Sequence, residues 1–314
     1  MVTQTNCGAM APNGSRLLSL AQSALSGSWR AVRGPQVFGI TSHPHYVTDF
    51  RDNLLESIER NDFEQDLRRG DGNEFGWRNR GRSPPKFHAA YSSSALQVNT
   101  FAPFRSRIGD LVLFGAGRFA SLRFEAQLAT GLARSPNIDV LCEGDDVVAI
   151  ESKCLEFLYP GAAKDARRKA PQPPFRPSYA AIEHHLDSNF RQLYDEIRAD
   201  PGIFAPVDAA QLVKHCFGLR MAYGRRPIVL AYLFWEPSDS DRYAVFAQHR
   251  HQIARVAQIL SGSPVSFAAM SYAELFHTWL DASTPQWLAD HITKLQQRYD
   301  VPLTPASACG GGRI

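Results

Sequence analysis

Apolar positions change period several times along the chain, and each change predicts an element. From Tyr46 to Arg69, Phe50, Leu54, Leu55, Ile58 and Phe63 recur at roughly helical spacing, which predicts a helix. The Gly-, Arg- and Pro-rich stretch Gly70 to Pro85 breaks that pattern. Ser92 to Phe104 is short, partly apolar and closed by Pro103; it reads as buried irregular or strand-like structure. Phe119 to Leu132, with Leu122, Phe124, Leu128 and Leu132 apolar, predicts an amphipathic helix that Gly131 loosens or caps. Asn137 to Glu143 and Val147 to Lys153 are short apolar-rich runs joined by Gly144, Asp145 and Asp146, the pattern of a β-hairpin. Tyr179 to Arg198 and Val207 to Met221 predict helices separated by Asp200-Pro201-Gly202. Pro227 to Trp235 is a continuous apolar run, which predicts a strand buried on both faces. A helix over Asp239 to Leu260, a strand over Pro264 to Ala269, and helices over Ala273 to Trp279 and Gln286 to Tyr299 complete the series.

Helix, hairpin, helices, buried strand and helix in that order define a mixed α/β fold. The run near Val229 follows a helical crossover from the hairpin, so it can lie parallel to one hairpin strand. The expected organisation is a mobile tail over 1–34, carrying one short helix near Arg16 to Val32, and an accessory region with a basic loop over 35–112. A core over 113–282 and a C-terminal helix and tail over 283–314 follow. No internal repeat is present at solenoid periods.

Composition narrows the class. Hydrophobic residues make up 44% and charged residues 21% of the 314, which excludes a mostly disordered chain. The five cysteines, Cys7, Cys142, Cys154, Cys216 and Cys309, are odd in number and form no CxxC, which fits neither a disulfide scaffold nor a zinc site. No signal peptide or membrane-spanning run is evident, so a cytoplasmic protein with no membrane partner is expected. The net charge of +3 says little by itself. Its distribution says more. Arg78, Arg80, Arg82 and Lys86 fall in one stretch without an acid, and Lys164, Arg167, Arg168, Lys169 and Arg176 fall in another against only Asp165. Either stretch alone reads as a solvated basic loop; two flanking one candidate site point to a polyanion.

That candidate site is the hairpin. If a three-residue turn makes Glu143 face Val147, then Asp139 faces Glu151, with Cβ atoms about 4.5–5.5 Å apart. A two-residue turn would make the pair diagonal. Glu151 and Lys153 share a strand face. Two carboxylates and an ammonium thus crowd one patch, although strands disfavour all three and like charges repel. Carboxylates at a buried strand end suit a hard divalent cation, Mg²⁺ or Mn²⁺. Such a cation can polarise a phosphoryl oxygen, and the lysine can orient water or meet developing charge. The competing reading is a solvated Glu151–Lys153 pair at a strand end.

Pro136-Asn137-Ile138-Asp139, eleven intervening residues, then Glu151-Ser152-Lys153 resembles the PD-(D/E)XK nuclease signature, with the PD element loosened by two residues. The longer stretch SSSALQVNTFAPF, LRFEAQL, PNIDV and IESK is similar to a bacterial restriction endonuclease family. The superfamily resemblance covers roughly Phe119 to Trp235. It implies a restriction-endonuclease-like αβββαβ core with a mixed central sheet, and Mg²⁺-dependent hydrolysis of phosphodiester bonds in DNA, with restriction or defence as the setting. Mn²⁺ is a candidate substitute. By resemblance, Asp139 and Glu151 bind the metal, Lys153 acts on the water, and Glu125 is a further acid of the kind members carry on their first core helix. Gln211 and Lys214 are the candidates for the polar position before the last core strand, where either would contact the scissile phosphate or a ligand. The basic loops (Arg78, Arg80, Arg82; Lys164, Arg167, Arg168, Lys169) contact the nucleic-acid backbone. RNA remains open as an alternative substrate, a second copy of the chain as a partner, and an inactive nucleic-acid-binding scaffold of the same fold as the alternative function.

Other signals carry less. His184 and His185 are adjacent and do not share a helix face. His249 and His251 read as the exposed face of a helix. Gly115-Ala116-Gly117 lacks the third glycine of a dinucleotide fingerprint. Cys154, Tyr194 and Trp235 read as core.

Overall fold

The computed structural model describes residues 14–304 except 41, 59, 60, 71, 134, 160–172 and 282. A five-stranded mixed sheet organises it, built from β1 (Phe119–Gln127), β2 (Asn137–Gly144), β3 (Val147–Lys153), β4 (Ile228–Phe234) and β5 (Val265–Ser271) in spatial order 1-2-3-4-5. The first three strands meander antiparallel, and β4 and β5 add in parallel. Parallel addition needs crossovers. The first is α4 (Ser188–Ala199) followed by α5 (Ala209–Tyr223), and the second is α6 (Ala244–Ile259). α7 (Tyr272–Thr278) and α8 (Gln286–Tyr299) close the described chain.

The hairpin register is the one a three-residue turn gives: Glu143 pairs with Val147 and Val140 with Ile150. Continued one step, this sets Asp139 beside Glu151. Val147 to Ile150 are all fully buried, as are Leu230, Ala231 and Leu233 of β4. Central strands covered on both faces read as unbroken apolar runs, which is why both were visible in the sequence. Glu151 and Ser152 point to opposite faces. Glu151 reaches His215 of α5, whereas the Ser152 hydroxyl lies 2.6 Å from the Tyr272 hydroxyl at the start of α7. The sheet is therefore helix-covered on both sides.

Several expected elements are corrected. Phe119–Gln127 is a strand, not a helix: Leu122, Phe124, Ala126 and Leu128 alternate and are buried, a period of two. Ser93–Phe101 is a helix (α3), capped by the Ser92 hydroxyl accepting the Ala95 N–H at 3.2 Å. All its residues from Ser94 to Phe101 are buried, so it carries no amphipathic stripe to betray it. With these two exchanges the order α3, β1, β2, β3, helices, β4 is an αβββαβ core. The helix expected over Tyr46 to Arg69 is shorter: Phe50–Asn53 forms a 3₁₀ turn, Leu54 is extended, and only Asn61–Arg69 is helical (α2). The helix near the N-terminus runs over Gly14–Arg33 (α1) and buries Leu17, Ala21, Leu25 and Trp29, packing on α8. Over these residues the chain is docked rather than a tail.

A buried polar knot joins the two ends of the chain. Arg298 of α8 stacks 3.9 Å from the Trp29 ring centroid and donates to the Asn53 carbonyl at 2.7 Å and to Asn53 Oδ1 at 2.5 Å. Asn53 Nδ2 donates to the Phe87 and Ala89 carbonyls, and Asn99 Nδ2 donates to the Tyr299 hydroxyl. Asn53→Ala removes one acceptor from the buried Arg298 while the Asn53 backbone carbonyl keeps the other. It is accordingly expected to destabilise the protein by about 2 kcal/mol in urea unfolding, the scale of a hydrogen bond to a charged group; a loss below about 1 kcal/mol would show the knot to be dispensable.

Candidate active site

At the C-terminal end of β3 and the N-terminal end of β2, a cavity of about 800 Å³ opens beside Asp139, Glu151 and Lys153. Its walls come from distant parts of the sequence. Glu125 stands on β1, Asn137 and Asp139 on β2, Glu151 and Lys153 on β3, and Asp208 and Gln211 at the start of α5. The N-terminal region adds Glu74, Arg78 and Lys86, and the start of α3 adds Ser92 to Ser94.

Glu151 is the best-held group. It is buried, its Oε1 accepts from the Lys153 ammonium, and its Oε2 lies 2.6 Å from His215 Nε2. Burial alone would push its carboxyl up, but the charges of Lys153 and His215 and their hydrogen bonds outweigh it and hold the group down at about 2. Lys153 is likewise opposed by burial, and the charges of Glu151 and Asp139 raise its ammonium well above the usual lysine value. Both stay ionised at neutral pH.

Asp139 and Glu125 behave in the opposite way. Asp139 Oδ2 accepts the Ser152 N–H at 2.6 Å, which fixes the carboxylate. Burial and the charges of Glu151 and Glu125 raise its carboxyl well above the ordinary range. Glu125 Oε2 accepts from Asn137 Nδ2 at 3.2 Å; burial and the Glu74 charge push it up to about 7. Glu125 sits at φ 48°, a left-handed backbone unusual for a non-glycine residue in a strand. Gly70 packs against it: a Cβ there would lie 2.7 Å from the Glu125 Cβ. Strained backbone of this kind persists where the surroundings over-determine it.

Among the described residues, six carboxylates line the cavity (Glu74, Glu125, Asp139, Glu151, Glu156, Asp208) against three cations (Arg78, Lys86, Lys153). The excess is negative, and two of the acids sit above their usual range because of burial and neighbouring negative charge. Hard oxygen donors with surplus negative charge are the chemistry of a divalent-cation site. Among the described residues no three His, Cys, Asp or Glu side chains are already gathered around one point. The Glu151 oxygens face Lys153 and His215 instead.

Of the residues singled out in the sequence, Asp139, Glu151, Lys153, Glu125, Gln211 and Arg78 meet at this cavity. Glu125 arrives on a strand rather than a helix. Lys214 stands over the Phe175 ring at 5.8 Å and is not part of the lining. Arg80 and Arg82 are exposed on the turn beyond Arg78. Lys164, Arg167, Arg168 and Lys169 lie outside the described residues. His249, expected on an exposed face, is fully buried and stacks on Phe157 at 4.0 Å. The sequence reading missed His215 and Glu74. His215 follows Gln211 by four residues and so shares its helix face, the one signal available. Glu74 lies in a Gly/Arg/Pro-rich loop whose burial no periodicity announces; it is fixed by Lys86 at 3.1 Å and the Ser94 hydroxyl at 2.8 Å.

Fold and site together define a restriction-endonuclease-like protein: a mixed sheet whose antiparallel hairpin delivers the Asp and Glu-x-Lys groups to one cavity. A family model described as "Restriction Endonuclease associating with ARP" (REase-ARP) matches residues 20–300, and the chain belongs to this family. No curated protein and no solved structure is detectably similar to it.

The raised Glu125 carboxyl has a stability consequence. Its folded value of about 7 exceeds the ordinary 4.5, so its contribution is complete below about 4.5 and is lost as pH rises through 7. In metal-free buffer, Glu125→Gln should therefore melt higher than wild type at pH 8, with the gap closing towards pH 5. A variant no more stable than wild type at pH 8 would contradict the crowding of charge described above.

Proposed function

We propose that the protein is a Mg²⁺-dependent endonuclease that hydrolyses phosphodiester bonds in DNA, with Mn²⁺ able to replace Mg²⁺. The observation that carries this reading is the meeting of Asp139, Glu151 and Lys153 in a cavity with surplus carboxylates. Membership of a restriction endonuclease family supports it. A cytoplasmic setting and a role in restriction or defence follow from the same reading.

Asp139 and Glu151 would hold the cation, with Glu125 as a further acid in the same cavity. When bound, such a cation supplies Lewis-acid polarisation of the phosphoryl group. The remaining work falls to the chain's own groups. Ser152 N–H holds the Asp139 carboxylate through Oδ2. Lys153 keeps its proton, because the carboxylates around it raise its ammonium, and so offers fixed positive charge where negative charge develops on phosphate. Its ammonium also orients the attacking water. Gln211 and Arg78, both at the cavity wall, would contact the phosphate backbone. Lys86 is tied to Glu74 and to the Gly72 carbonyl, which sets the basic loop against the cavity.

Cleavage of supercoiled plasmid tests the reading. With Mg²⁺ or Mn²⁺ the wild type should nick or linearise the DNA, and Glu151→Gln and Lys153→Ala should each lose at least about 100-fold in rate, the scale of a removed general acid–base or electrostatic group. Activity that survives both changes would place the chemistry elsewhere. Metal-dependent binding without cleavage would favour the inactive scaffold.

The exposed arginines make a separate prediction. With the Glu151→Gln protein, to prevent cleavage, each of Arg80→Ala and Arg82→Ala should lower the slope of log affinity against log salt by about 0.9 if it neutralises one phosphate. An unchanged slope would remove that arginine from the interface.

A further inference from the structure

Among the described residues His215 makes a single polar contact. It is fully buried on α5, and its Nε2 lies 2.6 Å from Glu151 Oε2. Its Nδ1 is buried and has no hydrogen-bond partner among the described residues. Buried polar groups are normally paired, and leaving one unmade costs free energy. A purely space-filling role would be better served by an apolar side chain. What the ring provides is one rigid donor aimed at one carboxylate oxygen. At 2.6 Å the carboxylate oxygen is the acceptor of this contact, so the hydrogen is assigned to Nε2.

The two oxygens of Glu151 are thereby distinguished. Oε2 is held from within the protein by His215, and Oε1 meets the Lys153 ammonium at the cavity. We propose that His215 is a positioning residue that pins Glu151 through Oε2 so that Oε1 faces the cavity, where the Lys153 ammonium occupies the place a divalent cation takes. The inference rests on the metal-dependent reading above. Cation and ammonium would be alternatives on Oε1, and Lys153, once off Glu151, would be free to offer its charge to phosphate. His215 stays in place and touches neither cation nor substrate.

The test compares wild type with His215→Gln, His215→Asn and His215→Leu in the full chain. The Gln amide nitrogen reaches about as far as the imidazole Nε2, whereas the Asn amide reaches only to the position of Nδ1. Mn²⁺ affinity is read by calorimetry without DNA, and plasmid cleavage is followed against Mn²⁺ concentration. His215→Asn and His215→Leu should bind Mn²⁺ about 10–100-fold more weakly, and His215→Gln should restore binding to within about threefold, the scale on which groups that orient metal ligands act. Cleavage by the weakened variants should recover at high Mn²⁺ with KM for plasmid unchanged, which a general loss of folding would not produce. If Asn and Gln variants bind Mn²⁺ equally, the positioning role is wrong. The same holds if wild type binds tightly and no variant is weakened, and in either case the metal-dependent reading stands. If wild type itself binds no Mn²⁺, that reading falls and takes this inference with it.

Discussion

Glu151 is an ionised carboxylate at the end of a strand whose preceding residues, Val147 to Ile150, are fully buried. A charge in such surroundings is tolerated only when it is paired and hydrogen-bonded. The protein meets that requirement from two directions. Lys153 comes from the same face of the same strand, and His215 from the helix that crosses over to β4. The second contact depends on the topology. Because β4 lies parallel to β3, the chain must cross over the sheet, and the crossover lays α5 against the face on which Glu151 points. The carboxylate, the parallel pairing and the helix are one constraint seen at three scales.

Asp139 and Glu125 show the cost of the same placement. Their carboxyls are pushed above the usual range by burial and by other acids, so part of the site is assembled against electrostatic preference. Folding energy elsewhere must offset this, and the knot of Trp29, Asn53, Asn99 and Arg298 joins the N-terminal segments to α8. Those segments also furnish the cavity wall through Glu74, Lys86 and Ser94. The described residues between Tyr46 and Ser94 that line the cavity thus belong to the site's architecture, and Glu74 contributes directly to the charge that lifts Glu125. An unfavourable cluster of this kind is what a divalent cation would relieve.

The parts legible in the sequence were those where one physical rule acted alone. The Gly144-Asp145-Asp146 turn announced the hairpin and left two registers open, and the observed pairing of Glu143 with Val147 is the one of a three-residue turn. The run from Pro227 to Trp235 was plain because a doubly covered strand has no polar face. α8 was found over Gln286–Tyr299 because its stripe is amphipathic. The parts that were misread had two rules in competition. In Phe119 to Leu132, apolar residues at 122, 124 and 128 fit fragments of both periods, and only pairing with β2 decides for the strand. In α3, burial on all sides erased the helical stripe, and Val98 and Thr100 added β-branched residues that favour strands. His215 and Glu74 were hidden because their significance lies in contacts between elements far apart in the chain.

The central claim is that Asp139 and Glu151 form a divalent-cation site beside Lys153. It is tested most directly by a crystal structure of the protein soaked in Mn²⁺, with anomalous diffraction measured to locate the ion. The account predicts an anomalous peak within coordination distance of Asp139 and Glu151 Oε1, with the Lys153 ammonium moved away from Glu151 and His215 still bonded to Oε2. An ion bound elsewhere in the molecule, or an empty cavity with the Glu151–Lys153 contact intact at saturating Mn²⁺, would contradict it.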